Sequence, residues 1–368
     1  MNMNFFVNTR LITGVDCVKN NAERLGSYGD RCLIVTGASS AKKCGALDDV
    51  TKALDSTGVK YEIYDKICQN PTVESCFEAG KIASDLKADF ILGIGGGSPL
   101  DASKAIAVVA ANPDISEEKL YSMDWAEQPL PVVAVGTTAG TGSEVTSVAV
   151  ITNSKGFKKS FRNDLSYPFL SLGDPKYTLS LSDSFTRSTA VDALAHCVES
   201  FFNRSANDIS KIYAVAGIRK LLKVFDKIMS GSTDKLTIED REELYNASIL
   251  GGLAIAITGT AFPHALGYFL TENYGIAHGT ACAVFINEFV DYNADVKPEL
   301  TKEFFDEIRV DEIGFKTAVE KIPPPIDVKL SDSDIEKLSV RWENNAALKR
   351  NWGNVDTAFI NSLLRKLF

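Results

Sequence analysis

The sequence predicts two domains, an α/β domain with a parallel sheet over residues 1–178 and an all-α domain over 179–368. Three features carry this. Short apolar runs alternate with helix-length segments through the first half. Two of those runs empty into glycine-rich loops. Past about residue 180 strand-like runs vanish and only helical periodicity remains. The 368 residues also exceed the length, ~250–300 residues, at which a single core stops growing.

Arg31–Thr36 (RCLIVT) reads as a buried parallel strand ending at Gly37. Lys43–Gly58 reads as a helix, Tyr61–Tyr64 as a second strand and Val73–Leu86 as the next helix. Asp89–Ile94 (DFILGI) is a third strand running into Gly95, Gly96 and Gly97, with a helix from Pro99 to Ala111 behind it. Leu130–Val135 (LPVVAV) is a fourth strand entering a second loop, Gly136–Ser143. Such alternation implies a parallel sheet covered on both faces. Asp174-Pro175 marks a break, after which Ser184–Phe202, Asp208–Met229 and Ile238–Ile257 read as helices. Near the start, Phe5–Val7 is a short strand suited to pairing across a two-fold axis.

Bulk properties exclude several partners. The chain is 45% hydrophobic and 24% charged, with a formal net charge of −9. No run of Lys and Arg is long enough to override this, Lys158-Lys159 being a pair and not a patch, so the acidic surface repels nucleic acid and anionic lipid. Seven cysteines, an odd number without a C-x-x-C pair, argue against a disulfide framework and fit a reducing cytoplasm. The start, MNMNFFVNTRL, lacks the charged head and long apolar stretch of a secretory leader. The sequons at Asn203 and Asn246 therefore read as chance matches. Residues 247–270 carry no Asp, Glu, Lys or Arg and are long enough to span a bilayer. Pro263, His264, several glycines and hydroxyls make the stretch a buried core segment instead.

At the first glycine loop, Ser98 is placed to cap the following helix, with Pro99 at its first position and Asp101 completing a capping box. Glycines between a strand and a helix also let the backbone approach a pyrophosphate, toward which the N–H groups of the helix start point. The spacing is not the G-x-G-x-x-G fingerprint, so this is a different nucleotide loop. A second loop of glycines and hydroxyls at the end of the next strand suits a ligand bound at a sheet edge.

The chain contains three histidines. Asp192 and His196 are four apart in TAVDALAHCVESFF, which puts both on one helix face. His264 and His278 lie in FPHALGYFLTENYGIAHG. Any one of these histidines reads equally as a hydrogen-bonded core residue. Together, one carboxylate and three imidazoles form an N/O donor set that suits Fe(II) or Zn.

GGGSPLDASKA (95–105), TTAGTGSEVT (137–146), DALAH (192–196) and HALGYFLTENYGIAHG (264–279) together resemble the group III, iron-dependent alcohol dehydrogenase family. The resemblance covers nearly the whole chain and is nearest to the NADP-using 1,3-propanediol and butanol dehydrogenase-like members. It implies the fold shared with dehydroquinate synthase and a homodimer. It implies metal ligation by Asp192, His196, His264 and His278, with His264 and His278 at the catalytic centre. By the same resemblance, Gly95, Gly96, Gly97, Ser98 and Asp101 would meet the cofactor pyrophosphate, with Asn70 beside them. Thr137, Thr138, Ser143 and Val145 would lie along the cofactor, and Lys158 and Leu179 near the ribose and nicotinamide. The implied reaction passes hydride between the cofactor and a small primary alcohol, diol or aldehyde, with the metal as Lewis acid.

Two positions depart from the family pattern. Tyr268 stands where many members carry a further histidine, so a proton relay here must differ. Gly37 stands where NAD-preferring members carry an aspartate; Gly37, Ser39, Ser40 and the lysines behind them offer amides, hydroxyls and cations, which favours NADP(H) over NAD(H). Three other readings stay open: a zinc-dependent polyol dehydrogenase of the glycerol type, a dehydroquinate synthase-type lyase, and a metal- and nucleotide-binding sensor without turnover. The lyase would need a basic cluster for a phosphorylated acid, and 180–280 shows none near the histidines. The substrate itself is not legible; Phe157, Phe262, Tyr274 and Trp352 are candidate lining residues that read equally as packing.

Overall fold

The computed structural model describes residues 5–343 and 345–368; the first four residues of the N-terminal segment read above lie outside the described residues. The chain divides into two units. One holds Phe6–Leu181 and takes back Thr237–Tyr245; the other holds Phe5, Ser182–Leu236 and Asn246–Phe368.

The first unit contains strands β1 (Arg10–Thr13), β2 (Arg31–Thr36), β3 (Lys60–Tyr64), β4 (Phe90–Gly95), β5 (Val132–Gly136), β6 (Val148–Thr152), β7 (Lys158–Arg162) and β8 (Leu170–Gly173). Six of them form a parallel sheet in the order β1-β8-β5-β4-β2-β3. β6 and β7 make a separate antiparallel hairpin. Its helices are α1 (Ala22–Gly26), α2 (Ser40–Lys43), α3 (Ala46–Thr57), α4 (Val73–Leu86), α5 (Gly97–Ala111) and α6 (Glu117–Ser122). The four inner strands are buried on both faces, and β2, β4 and β5 accordingly read as continuous apolar runs, while the edge strands β1 and β3 are largely exposed. In β2, Leu33 and Val35 join one hydrophobic cluster while Cys32 and Ile34 join the other. Side chains of this size contribute roughly 1.5–3 kcal/mol each when fully buried.

Four strands escaped the sequence reading. β1 and β8 are only four residues long, and β7 (KKSFR) buries just Phe161. β6 alternates between half-buried and buried positions, a true period of two, but over only five residues. Phe5–Val7 forms no strand within the chain: the ring of Phe5 sits 6.0 Å from that of Tyr213, and the ring of Phe6 sits 5.8 Å from that of Tyr167.

The second unit is helical: α7 (Asp183–Phe202), α8 (Asp208–Ser230), α9 (Ile238–Thr258, whose first residues belong to the first unit), α10 (Phe262–Tyr274) and α11 (His278–Ala283), then α12 to α16 between Ile286 and Leu367. Ser182 caps α7 by accepting from the Phe185 N–H, and Asn207 with Ser210 forms a capping box on α8. Thr237–Tyr245 returns to the first unit because Tyr245 donates to Glu144 at 2.9 Å and lies flat against Gly136 and Gly173; a Cβ on Gly173 would come within 2.3 Å of its ring. The apolar stretch 247–270 is divided between α9 and α10, bent by 112°. No single helix among the described residues is long and apolar enough to cross a membrane.

Candidate metal centre and cofactor loops

The metal candidates converge on α7, where every residue from Ala190 to Phe202 is buried. Asp192 and His196 lie one turn apart on it, 3% and 5% exposed. Pro263 in the first turn of α10 fixes the start of the helix that carries His264, and α11 begins at His278. Gly279 lets α11 reach α7: a Cβ there would stand 1.9 Å from the Ser188 carbonyl oxygen and 2.7 Å from the Asp192 Cβ. Ligand atoms of Asp192, His264, His278 and Cys282 all lie within 4.8 Å of one another. His196 stands beside this group with its ring stacked on His264, centroids 4.5 Å apart. The structure thus gathers three of the four expected ligands into one set, keeps His196 adjacent, and adds a sulfur.

Glu199, absent from the sequence reading, organises the site. It is fully buried, with one carboxylate oxygen on His264 Nδ1 and the other accepting the Ala261 N–H. With Nδ1 donating to Glu199, His264 Nε2 carries a lone pair. That nitrogen and Asp192 Oδ1 are both buried without hydrogen-bond partners, 3.5 Å apart. Two orphaned buried acceptors facing each other are costly alone and are satisfied by a cation, so the residues fit a metal. Burial works against the Asp192 carboxylate, but His196, His264 and His278 outweigh it and hold the carboxyl well below its ordinary range. Burial likewise disfavours protonated His264; Cys282, Glu199 and Asp192 nevertheless raise its pKa well above the usual value. Burial pushes the Cys282 thiol up to about 11. Both additions were visible as spacing: Glu199 follows Asp192 by seven on one helix face, and Cys282 follows His278 by four. Tyr268 stacks on His278 with centroids 5.2 Å apart and planes 12° from parallel.

In the first unit the two glycine loops press together. Thr137 N–H donates to Gly95 O at 2.9 Å, and a Cβ on Gly96 would stand 2.8 Å from Thr138 Oγ1. One on Gly97 would stand 2.9 Å from Thr141 Cγ2. The helix α5 starts at Gly97 with Gly96 as its cap, so Ser98 is not the cap, Pro99 is not the first helical residue, and Asp101 completes no capping box. Ser98 Oγ instead accepts the Asn70 N–H at 3.3 Å, which ties Asn70, at φ +59°, to the loop. Thr152 donates its N–H to Pro71 O and pairs with Lys158, which places the hairpin lysine beside the same loop.

Asp101, Ser143 and Val145 are held inside the unit. Asp101 accepts from Ser143 Oγ at 2.5 Å and from the Val150 N–H at 2.9 Å. Lys104, fully buried, donates to Ser143 O, Ser143 Oγ and Val148 O at 2.8–2.9 Å. Burial lowers the Lys104 pKa, with Asp101 and Glu144 opposing. Val145 is 1% exposed. These side chains shape the second loop. Ser39 and Ser40 are exposed, Gly37 is half-buried, Leu179 is 50% exposed, and Lys42 is paired with Asp65 at 2.9 Å. Among the proposed lining residues, Phe262 is core, and Trp352 carries Lys297 over its ring at 4.3 Å. Phe157 is 60% exposed, and Tyr274 lines a cavity of about 390 Å³ with Phe185, Ile276, Ala277 and Thr280, which none of the clustered donors reaches.

Residues 8–175 match the iron-containing alcohol dehydrogenase model, and residues 186–327 match the C-terminal model of the Fe-containing alcohol dehydrogenase family. The chain is 32% identical to the 1,3-propanediol dehydrogenase of Citrobacter freundii, over 81% of this chain and 75% of that one. An iron-containing alcohol dehydrogenase of Thermotoga maritima superposes with a TM-score of 0.90 at 34% identity over 99% of both chains. Sulfoacetaldehyde reductase of Bifidobacterium kashiwanohense, solved in complex with NAD+, gives 0.88 at 27% identity over 100% of this chain and 99% of that one.

Proposed function

The chain belongs to the iron-containing alcohol dehydrogenase family and is an oxidoreductase acting on alcohols; from that premise we propose that it interconverts a small primary alcohol or diol and its aldehyde with NADP(H), using a metal held by Asp192, His196, His264 and His278. The observation that carries the metal reading is the pair of buried, unpartnered atoms, Asp192 Oδ1 and His264 Nε2, facing each other at 3.5 Å. When bound, the metal supplies Lewis-acid polarisation of the substrate oxygen and the nicotinamide supplies or accepts hydride. The chain's own share is positioning. Glu199 fixes the His264 tautomer, Gly279 lets His278 come over α7, and burial excludes water from Asp192 and His264. Tyr268, stacked on His278, is the proton-handling group we assign in place of an imidazole.

The NADP reading rests on Gly37, which presents no carboxylate to repel a 2′-phosphate, and on the exposed Ser39, Ser40 and Lys43. Lys42 contributes less because Asp65 already neutralises it. Measuring kcat/KM for NADPH and NADH over a panel of short aldehydes tests both parts: a clear NADH preference sinks the cofactor assignment, and no turnover with any aldehyde favours a binding protein. The same donors suit zinc, so the polyol dehydrogenase reading is separated by elemental analysis of anaerobically purified protein and by activity with glycerol. A cytoplasmic homodimer completes the proposal.

A further inference from the structure

We propose that Cys282 is itself a metal ligand, so that Asp192, His264, His278 and Cys282 form a mixed oxygen, nitrogen and sulfur set, with His196 stacked at its side. The inference rests on the metal centre proposed above and adds a donor to it. Four observations support it. The sulfur lies within 4.8 Å of the donor atoms of the other three residues. Two of those atoms, Asp192 Oδ1 and His264 Nε2, are buried without hydrogen-bond partners and would be satisfied by a cation. Cys282 follows His278 by one turn on α11, which puts both side chains on one face, and the thiol stands 3.8 Å from His278 Nε2. The sulfur is also backed against α10: a Cβ on Gly267 would lie 2.8 Å from it, so the side chain has little room to turn elsewhere.

The chemistry is coordination coupled to thiol deprotonation, without redox change. The S–H bond breaks, a sulfur–metal bond forms, and the proton leaves to solvent or buffer. A thiolate adds a soft donor to a borderline nitrogen and oxygen set and shifts its preference further toward Zn(II), Co(II) and Cd(II). It adds a sulfur to the Asp192, His196, His264 and His278 donors proposed above.

The test uses the full chain loaded with Zn(II) for X-ray absorption and with Co(II) for optical spectra. We expect one sulfur at about 2.3 Å among nitrogen and oxygen donors at about 2.0–2.2 Å. We also expect a near-ultraviolet sulfur-to-cobalt charge-transfer band that disappears in Cys282→Ser while cobalt stays bound. A nitrogen- and oxygen-only shell at full zinc occupancy overturns the inference and leaves the metal centre standing. A sulfur band that survives in Cys282→Ser assigns the sulfur to another cysteine and overturns it too. Failure to bind either metal removes the centre and this inference together. The wild-type absorption measurement decides the matter even if the variant does not fold.

Discussion

Changing Glu199 to Gln isolates what one buried carboxylate does for the metal centre. Its two oxygens take two N–H groups, from His264 Nδ1 and from Ala261. Glutamine keeps one acceptor oxygen and places an NH2 where the second was, so one of the two buried donors loses its partner. An unpaired buried donor costs about 1–3 kcal/mol. If the loss falls on His264, that energy appears as weaker metal binding, roughly 5- to 150-fold at RT ≈ 0.59 kcal/mol, in line with the 10- to 100-fold range for outer-shell partners. If it falls on Ala261, the same energy appears as lower stability with affinity retained. Competition with a chromogenic chelator, run beside urea unfolding, measures both. The sum of the two effects is predicted to reach about 1–3 kcal/mol. Affinity and stability both unchanged would refute the role assigned to Glu199.

Other predictions follow from single contacts. Gly279→Ala drives a methyl into the Ser188 carbonyl, 1.9 Å away, and should cost about 1–3 kcal/mol of stability while loosening metal binding as α11 shifts off α7; a Tm equal to wild type contradicts this. Lys176 holds Asp16, Asp49 and the fully buried Asp174 together at 2.5–3.2 Å, so Lys176→Met should cost about 2–3 kcal/mol after allowing for its partial exposure, read from urea midpoints at neutral pH. Burial opposes the Asp49 carboxylate, but Lys176 and Tyr177 lower its pKa, so its contribution holds above the unfolded value of about 3.9 and is lost as pH falls through the folded value; the variant should therefore show a shallower acid limb. Gly37→Asp should move kcat/KM from NADPH toward NADH, and an unchanged ratio would remove Gly37 from the cofactor site.

Much of this was legible in the sequence because its cause is local. RCLIVT forms a strand over the residues read for it, and Val73–Leu86 is a helix between those limits, because apolar periodicity and caps are written in adjacent residues. β1 and β8 were not legible: each is four residues long and owes its place to its neighbours in the sheet rather than to its own pattern. At the metal centre, spacing alone paired Asp192 with His196, yet it is contact between helices that brings Asp192 together with His264, His278 and Cys282. The capping assignment at Ser98 failed because a glycine, Gly96, takes the extended cap position two residues earlier, which frees Ser98 to hold Asn70. Asp101 and Ser143 look like ligand-facing groups in isolation, and only the fold shows that they also bond each other and the buried Lys104 in shaping the loop.

The most direct test of the central claim is NADPH oxidation with a short aldehyde by anaerobically prepared protein before and after metal removal, alongside His264→Ala. Stripping should abolish turnover, Fe(II) or Zn(II) should restore it, and His264→Ala should bind metal weakly and stay inactive with either metal. Undiminished turnover in the metal-free protein, or in His264→Ala, would contradict it.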